Sequence, residues 1–215
     1  MKKKKQSIAT WIIISLLAIS LLGGTFYGGW QALTASDLGG GSAAGQNYQS
    51  QISALDQQLK ESPEDSSIQL SLANAYYDYG SYLLQNDKTE EGVKQFKLAI
   101  PLYQKVVAKE KNINAYVDLA TAALYAGEDE VAETGFKEAL AINPKFYTAL
   151  YNYGVFLAQS KLDYNGAIEQ FEAAKAVAPS TEEANSLADL IASYQEMMKQ
   201  KAMNDAVEGF NSDNP

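Results

Sequence analysis

The sequence predicts an all-α chain: a helix-turn-helix solenoid of about three repeats with a capping helix, preceded by one transmembrane helix. Three observations carry this. A pattern of large and small apolar residues is written twice between positions 113 and 179. A long uncharged apolar run follows a lysine cluster at the N-terminus. Elsewhere, apolar residues recur at helical spacing and are punctuated by Asn, Asp, Gly and Pro.

The duplication is specific. Tyr116, Leu119, Ala120, Ala132, Phe136, Ala139 and Pro144 return as Leu150, Tyr153, Gly154, Ala167, Phe171, Ala174 and Pro179. Tyr116 and Leu150 stand 34 residues apart, and Phe136 and Phe171 stand 35 apart. Units of that length bury their apolar faces only by stacking on their neighbours, and such arrays present a surface that binds other molecules.

Taken in order, the chain begins with Lys2 to Lys5, and no further charge occurs until Asp37. Residues 8–27 form a 20-residue apolar stretch. A helix of that length rises about 30 Å and spans a bilayer. The lysines hold the N-terminus in the cytoplasm, and Tyr27 and Trp30 fall where an interfacial aromatic belt sits. Residues 1–35 are therefore expected to be a single-pass anchor in the plasma or inner membrane, with the remainder extracytoplasmic. The competing reading is a cleaved signal peptide, but the small-residue site Ser42-Ala43-Ala44 lies far beyond Leu22. With no cysteine in the chain, lipoprotein attachment is excluded.

Residues 36–50 are rich in Gly, Ser and Ala and read as a flexible linker. The solenoid is expected over residues 51–203. Ile52, Leu55 and Leu59 mark a short first helix over residues 48–60, and Ser62-Pro63-Glu64-Asp65 signals the start of the next, with Ser62 as its cap and Pro63 at its first position. That helix carries Leu72, Ala73, Tyr76, Tyr79 and Leu83, and breaks at Asn86-Asp87. Another runs from Thr89 to Lys109 through Ala99, Tyr103 and Val106, with a kink or restart expected at Pro101. Regular pairs follow: residues 113–126 with 129–142, and 146–160 with 164–178. Residues 181–203 close the array with Leu187, Leu190, Ile191 and Tyr194, and the polar tail 204–215 is expected to fray.

Residues 46–215 hold 13 lysines and 25 acids, a net charge of −12, which argues against nucleic acid and anionic lipid as partners. The chain contains no His, Cys or Arg, removing the commonest general base, the thiol nucleophile and the soft metal ligands. Glu128-Asp129-Glu130 reads as acids at a helix N-terminus, not a cation site. Asp163-Tyr164-Asn165-Gly166 lacks the spacing and closing Glu of a calcium loop. No catalytic residue, metal site or cofactor is expected.

These residues resemble the tetratricopeptide repeat family. Tyr116, Leu119, Ala120 and Ala123 match its first helix, and Ala132, Phe136, Ala139, Leu140 and Pro144 its second. The next unit matches through Leu150, Tyr153, Gly154, Leu157, Ala167, Phe171, Ala174 and Pro179. An earlier unit, with Leu72-Ala73-Tyr76 and Ala99-Tyr103-Val106, departs from the pattern by about 14 inserted residues. Each of its helices is therefore expected to be about two turns longer. Residues 55–63 look like half of a still earlier unit. The resemblance implies a partner-binding groove lined by Asn74, Tyr77, Val117, Thr121, Leu124, Tyr151, Asn152 and Val155. None is a cation, so capture of a partner's C-terminal carboxylate is not implied.

The implied function is a membrane-tethered scaffold or assembly factor that takes a protein or peptide of the envelope into that groove. A translocon-associated holdase with many secreted clients is the alternative. An enzyme or small-ligand receptor, with a pocket between Asn86 and Pro101, is the third reading.

Overall fold

A computed structural model describes residues 41–213. The predicted anchor at residues 8–27, with its lysines, lies outside them. Among the described residues no helix is long and apolar enough to cross a membrane. All regular structure there is helical, and it divides into two compact units that meet in sequence between Asn143 and Pro144.

The first unit holds α1 (Gly41–Glu61), α2 (Ser66–Gln85), α3 (Thr89–Lys109), α4 (Ile113–Ala126) and α5 (Asp129–Ile142). Sequential helices pack as hairpins, α2 on α3 and α4 on α5, and α3 also packs on α4. The apolar stripe read from the sequence forms the core: Leu72, Ala73, Leu83, Phe96, Ala99, Tyr103, Val106, Leu119, Ala120 and Phe136 are all buried. Burying a ring such as Phe96 or Phe136 contributes about 1.5–3 kcal/mol. The inserted residues lengthen both helices of the first hairpin. α2 and α3 span 20 and 21 residues, whereas α4 and α5 span 14 each.

Three local expectations are corrected. α1 begins at Gly41, so residues 41–50 continue a helix where a linker was expected; Tyr48 anchors this turn on α2, stacking on Tyr79 at 5.6 Å. The cap of α2 is Asp65, not Ser62. Its carboxylate accepts from the Ser67 and Ile68 amides at 2.8 and 3.1 Å, which satisfies two donors that have no partner within the helix. The helix α3 does not restart at Pro101, which is exposed on its surface.

The second unit holds α6 (Tyr147–Gln159), α7 (Tyr164–Ala176) and α8 (Thr181–Asp213). Gly154 lets α6 approach α7: a Cβ there would lie 2.6 Å from the Phe171 ring. Leu187, Ile191 and Tyr194 of α8 are buried, and Tyr194 stacks on Phe171 at 5.9 Å. That is the covering role expected of a closing helix. α8 continues to Asp213, ten residues past the expected end.

Each hairpin turns through one residue in the left-handed region: Asp87, Gly127 and Leu162, with φ of 60°, 74° and 55°. Gly127 occupies the position after α4 where glycine avoids the Cβ clash.

Candidate functional site

The helices α2 and α4 lie side by side in the first unit, and α3 packs behind both. Each front helix is almost wholly uncharged. Asp78 is the one charged residue of α2, and Asp118 the one charged residue of α4. A single carboxylate on an otherwise apolar packed helix costs desolvation energy, and packing contributes nothing to offset it.

The structure brings the two acids into one electrostatic field. Asp118 is half-buried. Loss of water raises its carboxyl pKa from the ordinary 3.8 to about 7, with a further push from the Asp78 charge. Asp78 is more exposed, and partial desolvation raises its carboxyl as well. None of the ion pairs among the described residues reaches either acid; the nearest by sequence join Lys60 to Asp56 and Lys109 to Glu64.

Aromatic side chains link α2 to α4 through α3. Tyr77 of α2 meets Phe96 of α3 edge-on at 5.4 Å, and Phe96 stacks on Tyr125 of α4 at 5.0 Å. From α3, the buried Tyr103 hydroxyl donates to Asn74 Oδ1 at 2.8 Å, fixing the carboxamide on the surface of α2. Burial first, then Tyr125 and the acids, hold the Tyr77 hydroxyl far above the usual phenol value. For Tyr103 the causes are burial, then Asp118, Tyr77 and Asp78. Both phenols therefore stay protonated and neutral.

The residues predicted to line a groove divide in two. Asn74 is exposed, and Tyr77, Leu124 and Asn152 are half-buried. Val117, Thr121, Tyr151 and Val155 are buried, at 3, 7, 7 and 7% exposure, and are corrected from lining to packing residues. The Thr121 hydroxyl donates to the Val117 carbonyl at 2.8 Å, which satisfies it within the helix. Tyr151 stacks with Tyr147 at 6.3 Å and lies against Phe171 at 5.9 Å. In the second unit, Asn152 stands at the repeat position of Asp118, 34 residues on, so that unit has no acid there.

Sequence reasoning missed Asp78, Asp118, Tyr103 and Tyr125. The available signal was the lone charge in each of two apolar helices. An acid that no local partner stabilises marks either an interhelical pair or a binding surface.

Two shallow cavities occur elsewhere in the first unit. One of about 350 Å³ lies among Gln49, Ser53, Asp56, Tyr76, Tyr79 and Gln95. The other, of about 220 Å³, is lined by Lys111, Tyr116, Glu138, Ala141 and Ile142. Neither sets a nucleophile beside a base. Among the described residues no group of three or more acids is placed to hold a metal ion.

Comparison with solved structures supports the fold. A crystal structure of MamA matches with a TM-score of 0.51 at 22% identity, covering 79% of this chain and 97% of that one. A second MamA structure matches with a TM-score of 0.51 at 20% identity, covering 89% and 94%. The chain thus shares the all-α helical-hairpin fold of those structures. YrrB, described as a tetratricopeptide repeat protein with an unusual peptide-binding site, matches with a TM-score of 0.39 at 19% identity, covering 64% of this chain and 99% of that one. No family model matches the chain, and no curated protein matches it.

Proposed function

We propose that this chain is a membrane-tethered interaction module that holds a segment of another envelope protein on its α2–α4 face, acting as a scaffold or assembly factor. One observation carries the reading. The hairpins bury their apolar seams among themselves, yet α2 and α4 leave Asn74 and Asp78 exposed and Tyr77 and Asp118 half-buried, so polar and aromatic groups remain within reach of a partner. Rigid aromatic area beside hydrogen-bonding groups suits an extended peptide. The lysine cluster and the apolar residues 8–27 support the tether and its orientation. Confinement at the membrane raises the effective concentration of the module toward membrane partners.

In-cell photocrosslinking tests this. A benzoylphenylalanine in place of Asn74 is expected to capture one dominant protein, and the same group in place of the exposed Lys137 on α5 is expected to capture none. Equal capture at both positions, or none at Asn74, would overturn the assignment. Many different captured proteins would make the module a holdase. Protease added outside spheroplasts is expected to digest the helical domain; protection would overturn the extracytoplasmic placement.

A further inference from the structure

We propose that the α2–α4 face recognises a cationic side chain, a lysine ammonium or arginine guanidinium carried by an extended segment of the partner, and seats it between Asp78 and Asp118 against the rings of Tyr77 and Tyr125. The inference rests on the interaction-module reading and names the chemistry of what that face takes.

Three observations point to a cation. The first is that Asp118 is half-buried on α4, and no hydrogen bond or ion pair among the described residues serves its carboxylate. A partly desolvated acid without a partner costs free energy that a counter-charge from outside would offset. The second is that the Asp78 charge on the neighbouring helix acts on Asp118, and no ion pair among the described residues gives either acid a counter-charge. The third is the aromatic set. Phe96 holds the Tyr77 ring at 5.4 Å and the Tyr125 ring at 5.0 Å between ring centres. The faces of such rings attract cations, and most strongly where water is excluded. Asn74, oriented by the Tyr103 hydroxyl, adds a polar group on the same face of α2.

The alternatives explain less. A structural role for the acids would require a lysine beside them, and none of the ion pairs among the described residues reaches Asp78 or Asp118. A metal ion would ask for a third acid, and among the described residues none joins these two. An acidic or carboxylate-bearing ligand would be repelled. An arriving ammonium or guanidinium instead removes the repulsion between the two acids and satisfies the half-buried one at once. Charge-assisted hydrogen bonds of that kind are among the stronger polar contacts available.

The test uses the purified full chain in detergent and a phage-displayed library of random linear peptides. Enriched peptides are first sorted by whether Tyr77→Ala abolishes their binding, which identifies those on this face. They are expected to share a lysine or arginine at one fixed position. Replacing that residue by norleucine is expected to weaken binding to the wild-type chain by about tenfold or more, the size of one charge-assisted hydrogen bond. The same replacement is expected to change nothing on Asp78→Asn/Asp118→Asn. That double variant replaces acids by isosteric amides where the acids repel each other, so its circular dichroism melt should match or exceed the wild type. A second readout needs no variant: sodium chloride is expected to weaken the lysine peptide and leave the norleucine peptide unchanged. Peptides that bind this face with no fixed basic position, or a norleucine loss that persists on the double variant, would overturn the proposal and leave the module reading standing. A selection yielding no Tyr77-dependent peptide would overturn both. Self-association of the full chain that the double variant abolishes would assign the site to a second copy and overturn the partner assignment.

Discussion

Gly80 and Gly92 face each other where α2 crosses α3, so closely that a Cβ on Gly92 would stand 2.9 Å from the Gly80 carbonyl oxygen. The Phe96 ring lies 3.1 Å from where a Cβ on Gly80 would be. This crossing fixes the spacing of the lengthened first hairpin, and with it the height at which Tyr77, Phe96 and Tyr125 meet. Backbone cannot yield as a flexible side chain does, so the contact sets a hard limit on residue size.

Gly92→Ala is therefore expected to destabilise the fold by about 1–3 kcal/mol through overpacking, even though alanine favours a helix by about 1 kcal/mol. Gly154→Ala in the second unit should behave alike, since Phe171 is fully buried and its ring cannot turn aside. Urea unfolding midpoints check both; a raised midpoint for either variant would contradict the close approach.

Leu162 adopts a φ of 55° and is 65% exposed, so its side chain gains little packing to offset the left-handed backbone. For a residue with a Cβ that backbone costs roughly 1–2 kcal/mol, and asparagine tolerates it best among residues larger than glycine. Leu162→Asn is expected to raise stability by about 0.5–1 kcal/mol, read from the thermal midpoint.

Tyr103→Phe removes the donor to Asn74 Oδ1 without changing ring volume. Water can serve the exposed carboxamide, so the expected stability loss is small, about 0.5–1.5 kcal/mol. The carboxamide then loses its fixed orientation. Binding of peptides on this face should fall in Tyr103→Phe and in Asn74→Ala alike, with no further loss when the two are combined; isothermal titration of the three variants checks this.

The raised carboxyl of Asp118 makes stability depend on pH. Facing it are Asp78 and Tyr77 from α2 and Tyr103 from α3, with no cation among them. The folded chain holds this proton up to about pH 7, whereas the unfolded chain releases it near the ordinary 3.8. Between those values the folded state binds more protons. The contribution of this residue is thus intact below about pH 4, falls as pH rises to about 7, and is level above that. Asp118→Asn is expected to flatten this slope and to raise stability at pH 8 by roughly 1–4 kcal/mol, discounted for the water that still reaches the group. Denaturant unfolding at pH 5 and pH 8 checks the slope.

The helical pairs were legible because Leu119, Ala120, Phe136 and their counterparts 34–35 residues on repeat one packing geometry. The lengthened first hairpin was legible as a count of inserted residues. The site was less so. Val117, Thr121, Tyr151 and Val155 were placed in a groove by analogy of position, but a first helix that packs on neighbours along two sides buries a wider arc than one stripe. Asp78 and Asp118 were passed over because their meaning lies in their pairing. That pairing depends on the register between α2 and α4, which the extra turns of α2 set and a repeat pattern does not encode. Asp65 displaced Ser62 as a cap because both are good caps and only the folded chain shows which amide is reached.

Binding and pH response alike depend on Asp118 standing partly desolvated in the field of Asp78, with no cation among the described residues paired to it. Carbon-13 NMR of the aspartate side-chain carboxyls, titrated on the full chain from pH 4 to pH 9, tests this directly. The Asp118 resonance is expected to titrate near pH 7 and to shift to lower pH in Asp78→Asn. A midpoint in the ordinary carboxylate range, unmoved by Asp78→Asn, would contradict it.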